Sequence, residues 1–140
     1  MLKPSEYAVS ELIPQRKPFQ LIDSLISFEE SKATSTFTVT QEHLLCDGTH
    51  LTEAGLMENI AQTAAAHAGY SSKCANVPVA LGFIGGIKSL VINELPKIGD
   101  VILTTIIIET KVLNAVIITG QVMLNNKSLA SCEMKIFIGQ

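Results

Sequence analysis

Charge is scarce in this chain, and most patterns that betray a partner are missing. Only 16% of the 140 residues are Asp, Glu, Lys or Arg, and the net charge is −3. Such a balance offers no basic footprint for nucleic acid or for an anionic lipid surface. No apolar run reaches bilayer length. The longest, Val101 to Ile108, is interrupted by Thr104 and Thr105 and is too short to span as a helix, so no membrane insertion is expected. The opening MLKPSEYAVS lacks the apolar core of a signal peptide. Cys46, Cys74 and Cys132 are odd in number and widely spaced, with no C-x-x-C pair. Reduced thiols and a cytoplasmic location are the expectation. There is no internal repeat, no low-complexity tract and no metal-ligand cluster, and neither a metal nor a cofactor is expected.

What is abundant is apolar: 47% of the residues are hydrophobic. A chain of this length forms one domain, residues 1–140, large enough to bury a full core. So much apolar surface with so few charges implies that part of it is covered in an oligomer.

The chain is organised around Thr52 to Tyr70, the one long segment that reads as helix. Ala, Leu, Met, Glu and Gln dominate it, with no proline inside. Thr52 suits the N-cap and Glu53 the first turn, while Gly69 suits the end. At 1.5 Å per residue the helix is about 28 Å long. Ala54, Gly55, Ala61, Ala64, Ala65, Ala66 and Ala68 leave it almost no polar face, so burial nearly all round is predicted. Glu58, Gln62 and His67 interrupt that apolar rod, and buried polar groups need partners. His67 reads as a core or interface histidine.

The remaining chain is mostly strand. A short helix is predicted over Pro4–Ile13, then an extended, proline-fixed stretch over residues 13–23. Strands are predicted over Gln20–Phe28 and Lys32–Thr40, the second alternating Ala33, Ser35, Phe37 and Val39 against Lys32 and four threonines. Residues 41–51 form a loop into the helix, and Ser71–Pro78 a polar connection out of it. Further strands are predicted over Val79–Ile92, Val101–Leu113, Ala115–Leu124 and Ser128–Ile138. Turns fall at Leu95–Asp100, at Asn114 and at Asn125-Asn126, the last a two-residue hairpin signal. The predicted class is α+β, one long antiparallel sheet curled around one central buried helix.

Four ordered motifs then resemble a known family. Pro14-Gln15-Arg16-Lys17-Pro18-Phe19 with Leu21-Ile22-Asp23 resembles the PHRxPxLLxD opening of the hot-dog-fold β-hydroxyacyl-acyl-carrier-protein dehydratases. Val39-Thr40-Gln41-Glu42 resembles the approach to their active-site loop. Glu58-Asn59-Ile60-Ala61-Gln62 resembles their EAMAQ helix motif, and Leu95–Asp100 their PxxPGD-like turn. The likeness is greatest to the divergent branch of aryl-polyene and flexirubin pigment clusters, through Asp47-Gly48, Glu58 to Gly69, and Gly82-Phe83-Ile84-Gly85-Gly86. Ordinary members carry a catalytic His in a GHFPGxP loop, fourteen residues before the helix Glu. That position is Leu44 here, flanked by His43 and His50, and Gln15 stands where the family has a His beside Arg16.

The resemblance implies elimination of water from a 3-hydroxyacyl thioester held on acyl carrier protein or coenzyme A. That reaction needs an acid for the hydroxyl and a base for the α-proton. Glu58 is the candidate acid. His50, before the helix N-terminus, is the candidate base, with His43 behind it. Asp47, Gly48, Leu51, Ala54, Met57, Gln62, Phe83, Gly85 and Gly86 are the candidate substrate-binding residues. Alternatives are a non-catalytic hot-dog subunit paired with a complete dehydratase, and a thioesterase on the same fold. The expected assembly is a homodimer, or a heterodimer with a related subunit, its sheets joined edge to edge.

Overall fold

The computed structural model describes residues 2–139; Met1 and Gln140, the two ends of the expected domain, lie outside the described residues. Two 3-10 turns, Pro4–Glu6 and Val9–Glu11, precede the regular elements. These are β1 (Ser24–Glu29), β2 (Lys32–Thr38), α1 (Glu53–Ala75), β3 (Gly82–Ile92), β4 (Val101–Val112), β5 (Ala115–Leu124) and β6 (Lys127–Ile138). All pairings are antiparallel, in the order β1-β2-β4-β5-β6-β3. The predicted α+β class, a long antiparallel sheet around one helix, is the observed one.

The core forms where strand alternation meets the helix. Ala33, Ser35 and Phe37 of β2 are fully buried, while the residues between them are not. Leu56 and Ile60 of α1 pack with Ile102, Ile106, Ile118, Val122 and Met134 of the sheet, all sealed from solvent. Asn125 and Asn126 both take left-handed φ, of 48° and 68°, and close the β5–β6 hairpin as the sequence indicates.

Several expectations need correction, among them the strand predicted from Val79, which begins at Gly82. The helix predicted over Pro4–Ile13 is two separate 3-10 turns, because Tyr7 and Ala8 are extended between them. Glu6 and Glu11 each fold back onto a main-chain N–H three residues earlier, which caps a single turn. The strand predicted from Gln20 begins only at Ser24. The Leu21 N–H is taken by Gln62 Oε1 and its carbonyl by Asn59 Nδ2, so this stretch bonds to helix side chains instead of a strand. The helix also passes Gly69, through the predicted Ser71–Pro78 connection, to Ala75, where Asn76 turns left-handed at φ 56°. Gly69 serves another purpose: a Cβ there would collide with the main-chain carbonyl of Leu12.

The helix is not buried all round. Glu58, Ala61, Ala65 and Ala68, at helical spacing, are half-buried, and Ala54 is exposed. That uncovered stripe places the site.

Candidate active site

Residues 14–23 cross the helix and are tied to it by side chains. Gln62 Nε2 donates to the Phe19 carbonyl at 2.8 Å and to Glu58 Oε1 at 3.2 Å, while its Oε1 accepts from the Leu21 N–H at 2.7 Å. The Arg16 guanidinium donates to the carbonyls of Ile13, Pro14 and Gln15 at 2.9, 3.0 and 3.1 Å. Beneath them Asn59 donates to the Leu21 carbonyl at 2.8 Å and accepts from the Thr104 hydroxyl. Thr63 donates to the Asn59 carbonyl and meets Ser35 at 2.6 Å. Asn59, Thr63, Ser35 and Thr104 are wholly buried, yet all are satisfied, so the network fixes the helix against the sheet.

Two cavities meet at this point. The larger, about 910 Å³, runs along the open stripe of α1 from Gln15 and Glu58 past Ala61, Ala65 and Ala68 to Ser72. Its far wall is apolar, with Phe83, Ile84, Ile108, Ile118 and Ile136. The smaller, about 340 Å³, lies among Pro18, Phe19, Leu21, Leu44 and Leu45. Glu58 and Gln15 are the two residues that line both. A carboxyl held by Gln62 between two largely apolar spaces can give or take a proton on a ligand that lies across both.

The loop before the helix is bound elsewhere. Asp47 Oδ1 accepts from the His50 and Thr49 main-chain N–H groups, at 2.8 and 3.0 Å, and from the Thr49 hydroxyl at 2.9 Å. These donors, the His50 N–H foremost, lower the Asp47 carboxyl to about 2. His50 Nδ1 meets Thr49 Oγ1 at 2.8 Å, and its main chain bridges to Lys97. The Thr49 carbonyl accepts from Ile98, which ties the loop to the β3–β4 turn. His43 is edge-on to Phe37 at 4.5 Å, with Nδ1 2.9 Å from the Thr40 hydroxyl.

Of the residues singled out in the sequence, Glu58, Gln62, His67 and Phe83 line the large cavity. Asp47, Gly48, His50, Leu51, Ala54, Met57, Gly85 and Gly86 line neither. Leu51 is sealed in the core, and a Cβ on Gly85 would strike the Phe137 ring. Leu44, where the ordinary motif has its His, does share the small cavity with Glu58. The sequence reading missed Gln15 and Asn59 as site residues; their signal is their place inside two of the motifs. His67 Nε2 lies 2.9 and 3.0 Å from the Glu29 and Glu30 carbonyls, so it carries the proton and donates to both. Its ring stacks on Phe28 at 4.6 Å, and burial pushes the imidazole below its ordinary pKa despite those carbonyls.

A six-stranded antiparallel sheet wrapped round one long helix, with a carboxyl on that helix facing a groove, defines a hot-dog protein. The chain belongs to the ApeP-like dehydratase family, described as ApeP dehydratase, whose sequence model matches residues 7–139. It is thus a dehydratase-like protein. No curated protein sequence matches it at a significant level. Among solved structures it is similar to the dehydratase heterocomplex ApeI:P from Xenorhabdus doucetiae, with 16% identity, TM-score 0.82, and 96% of this chain and 92% of that one covered. It is also similar to smu.793 from Streptococcus mutans bound to acetyl CoA, with 15% identity, TM-score 0.64, and 86% and 90% covered. Zebrafish thioesterase superfamily member 2 has 19% identity and TM-score 0.63, with 83% and 80% covered. At these identities the three structures speak for the fold alone. No described helix is long and apolar enough to cross a membrane.

Proposed function

We propose that the chain dehydrates 3-hydroxyacyl thioesters, carried on acyl carrier protein or coenzyme A, as one subunit of a hot-dog pair in the cytoplasm. The observation that carries this reading is Glu58, which Gln62 holds at the junction of the two cavities. Glu58 protonates the departing 3-hydroxyl while a base removes the α-proton. The apolar groove beyond takes the acyl chain. The ApeI:P heterocomplex supports a pair of subunits, and the acetyl CoA bound to smu.793 supports a thioester ligand.

In the simplest form His50 is the base. A second form is favoured by Leu44, which stands in the small cavity where the ordinary motif carries its His. There the base comes from a related subunit.

The test is intact-mass analysis of a 3-hydroxyacyl carrier protein after incubation with the pure chain, alone and with a related hot-dog subunit. Loss of water is expected. Glu58→Gln should slow it on the order of 10² to 10⁴. His50→Ala should do the same if the base is internal, and the double variant should cost little more than the worse single one. Undiminished activity in His50→Ala removes it as the base and passes that role to His43 or, where activity needs the second subunit, to the partner. Release of the free acid would point to a thioesterase, and no loss of water in any combination would overturn the reading.

A further inference from the structure

The two residues shared by both cavities differ in one respect. Glu58 has a partner, since Gln62 donates to it. Gln15 leaves an atom empty: among the described residues its Oε1 is the one buried side-chain oxygen or nitrogen with no hydrogen-bond partner. An enclosed acceptor without a donor is costly, and native folds leave few of them. The fold does not use that oxygen. Arg16 holds this segment through the main-chain carbonyls of residues 13, 14 and 15, including that of Gln15, and leaves the side chain spare. Gln62 and Asn59 anchor the next stretch, at Phe19 and Leu21.

We infer that Gln15 recognises the substrate's 3-hydroxyl: a turn of its half-buried side chain brings Oε1 from its enclosed position to the cavity junction, where it accepts the O–H and Glu58 approaches the same oxygen. This rests on the dehydratase reading above. A hydroxyl has one donor and two lone pairs. With its hydrogen given to Gln15, a lone pair is free to take the Glu58 proton. The C3–O bond then breaks with its electron pair going to oxygen, and water leaves. The base takes the C2 proton, and the C2–H pair becomes the C2=C3 bond. The enoyl product offers no donor at C3, so Gln15 favours the hydroxylated chain over the product. A saturated chain offers none either, and a 3-oxo chain would set acceptor against acceptor. Gln15 therefore selects the oxidation level at C3, a task separate from the proton transfers.

The test compares binding of two ligands by calorimetry, a 3-hydroxyalkanoyl pantetheine amide and its 3-deoxy counterpart of equal chain length. An amide in place of the thioester keeps the α-proton too weakly acidic for elimination. The wild-type protein should bind the hydroxylated amide about tenfold tighter, as expected for one enclosed hydrogen bond. Gln15→Met, similar in shape but without the acceptor, should bind both with the affinity of the deoxy amide; a structural role alone would not move that ratio. Equal binding by the wild type overturns the assignment without any variant being needed, as does a Gln15→Met protein that keeps the preference. A Gln15-dependent preference in a protein that never eliminates water, with or without a partner, would sink the dehydratase reading and leave hydroxyl recognition standing. Elimination accompanied by a preference indifferent to Gln15 would do the reverse.

Discussion

His67 shows how a polar side chain is kept inside an alanine-rich helix. It is 4% exposed, stacked on Phe28, and spans the β1–β2 turn through the carbonyls of Glu29 and Glu30. Burial first, then the nearby Lys111 charge, lowers its pKa, and the two carbonyls oppose them only in part. In the unfolded chain the imidazole titrates near 6.5, so between the folded and unfolded values the unfolded state binds more protons. The stability from neutral His67 is thus complete above about pH 6.5 and is lost as the pH falls through the lower folded value. The unfolding free energy from urea denaturation should fall more between pH 8 and pH 5 for the wild type than for His67→Gln. Equal pH dependence in the two proteins would show that the ring is not held neutral. His67 also lines the large cavity, but both its partners are main-chain carbonyls of the β1–β2 turn, whereas Glu58 stands at the junction of the two cavities, where a ligand can compete.

At the level of elements, what decides the geometry is how closely the helix approaches the N-terminal turns. Gly69→Ala makes this measurable. Alanine is about 1 kcal/mol the better helix former, yet its Cβ would strike the main-chain carbonyl of Leu12, which cannot rotate away. Overpacking costs about 1–3 kcal/mol and stands at the upper end against backbone, so a net loss of about 2 kcal/mol is expected by urea denaturation. Gly86→Ala, with nothing within 4 Å of the new Cβ, should be near neutral. A neutral Gly69→Ala would mean that the N-terminal turns are not docked as described. The same approach explains what could be read from the sequence. Strands β2 and β6 were legible because alternation is local, and the Asn125-Asn126 hairpin because its φ values favour those residues. The end of the helix was misplaced because Gly69 looked like a stop signal and is in fact a contact. Gln20–Asp23 read as strand because the helix side chains that claim its main chain, Asn59 and Gln62, lie about forty residues away and leave no local mark. Glu58 and Gln62 were legible as a motif. The expected binding residues Leu51, Ala54 and Met57 fall at the first turns of the helix, whereas the large cavity runs from Glu58 onward, because its position depends on which stripe the sheet leaves uncovered.

For the whole molecule, sheet order determines which edge is free. The edge at β1 packs against the first 3-10 turn, whereas among the described residues β3 bonds only to β6 and leaves its other side open along eleven residues. Phe83, Ile84, Leu90 and Val91 are all exposed there, with Phe83 at 58%. A long apolar edge is an invitation to pair with another strand, and stable proteins cover such edges. The uncovered alanine stripe of α1 and residues 82–84 of β3 line the same cavity, so the open edge and the open helix face lie on one side. Under the paired-subunit reading one neighbour would cover both, excluding water from the carboxyl of Glu58 and strengthening every polar contact around it. Sedimentation at micromolar concentration should therefore find no stable monomer of the pure chain, or should find one that is consumed when a related hot-dog subunit is added. Phe83→Lys with Val91→Lys, on a strand already half-exposed, should shift the population toward monomer while the far-ultraviolet spectrum stays that of the folded chain. A wild-type protein that stays monomeric alone and with its relatives would leave this edge without a purpose, and Glu58 would then have to work in an open groove.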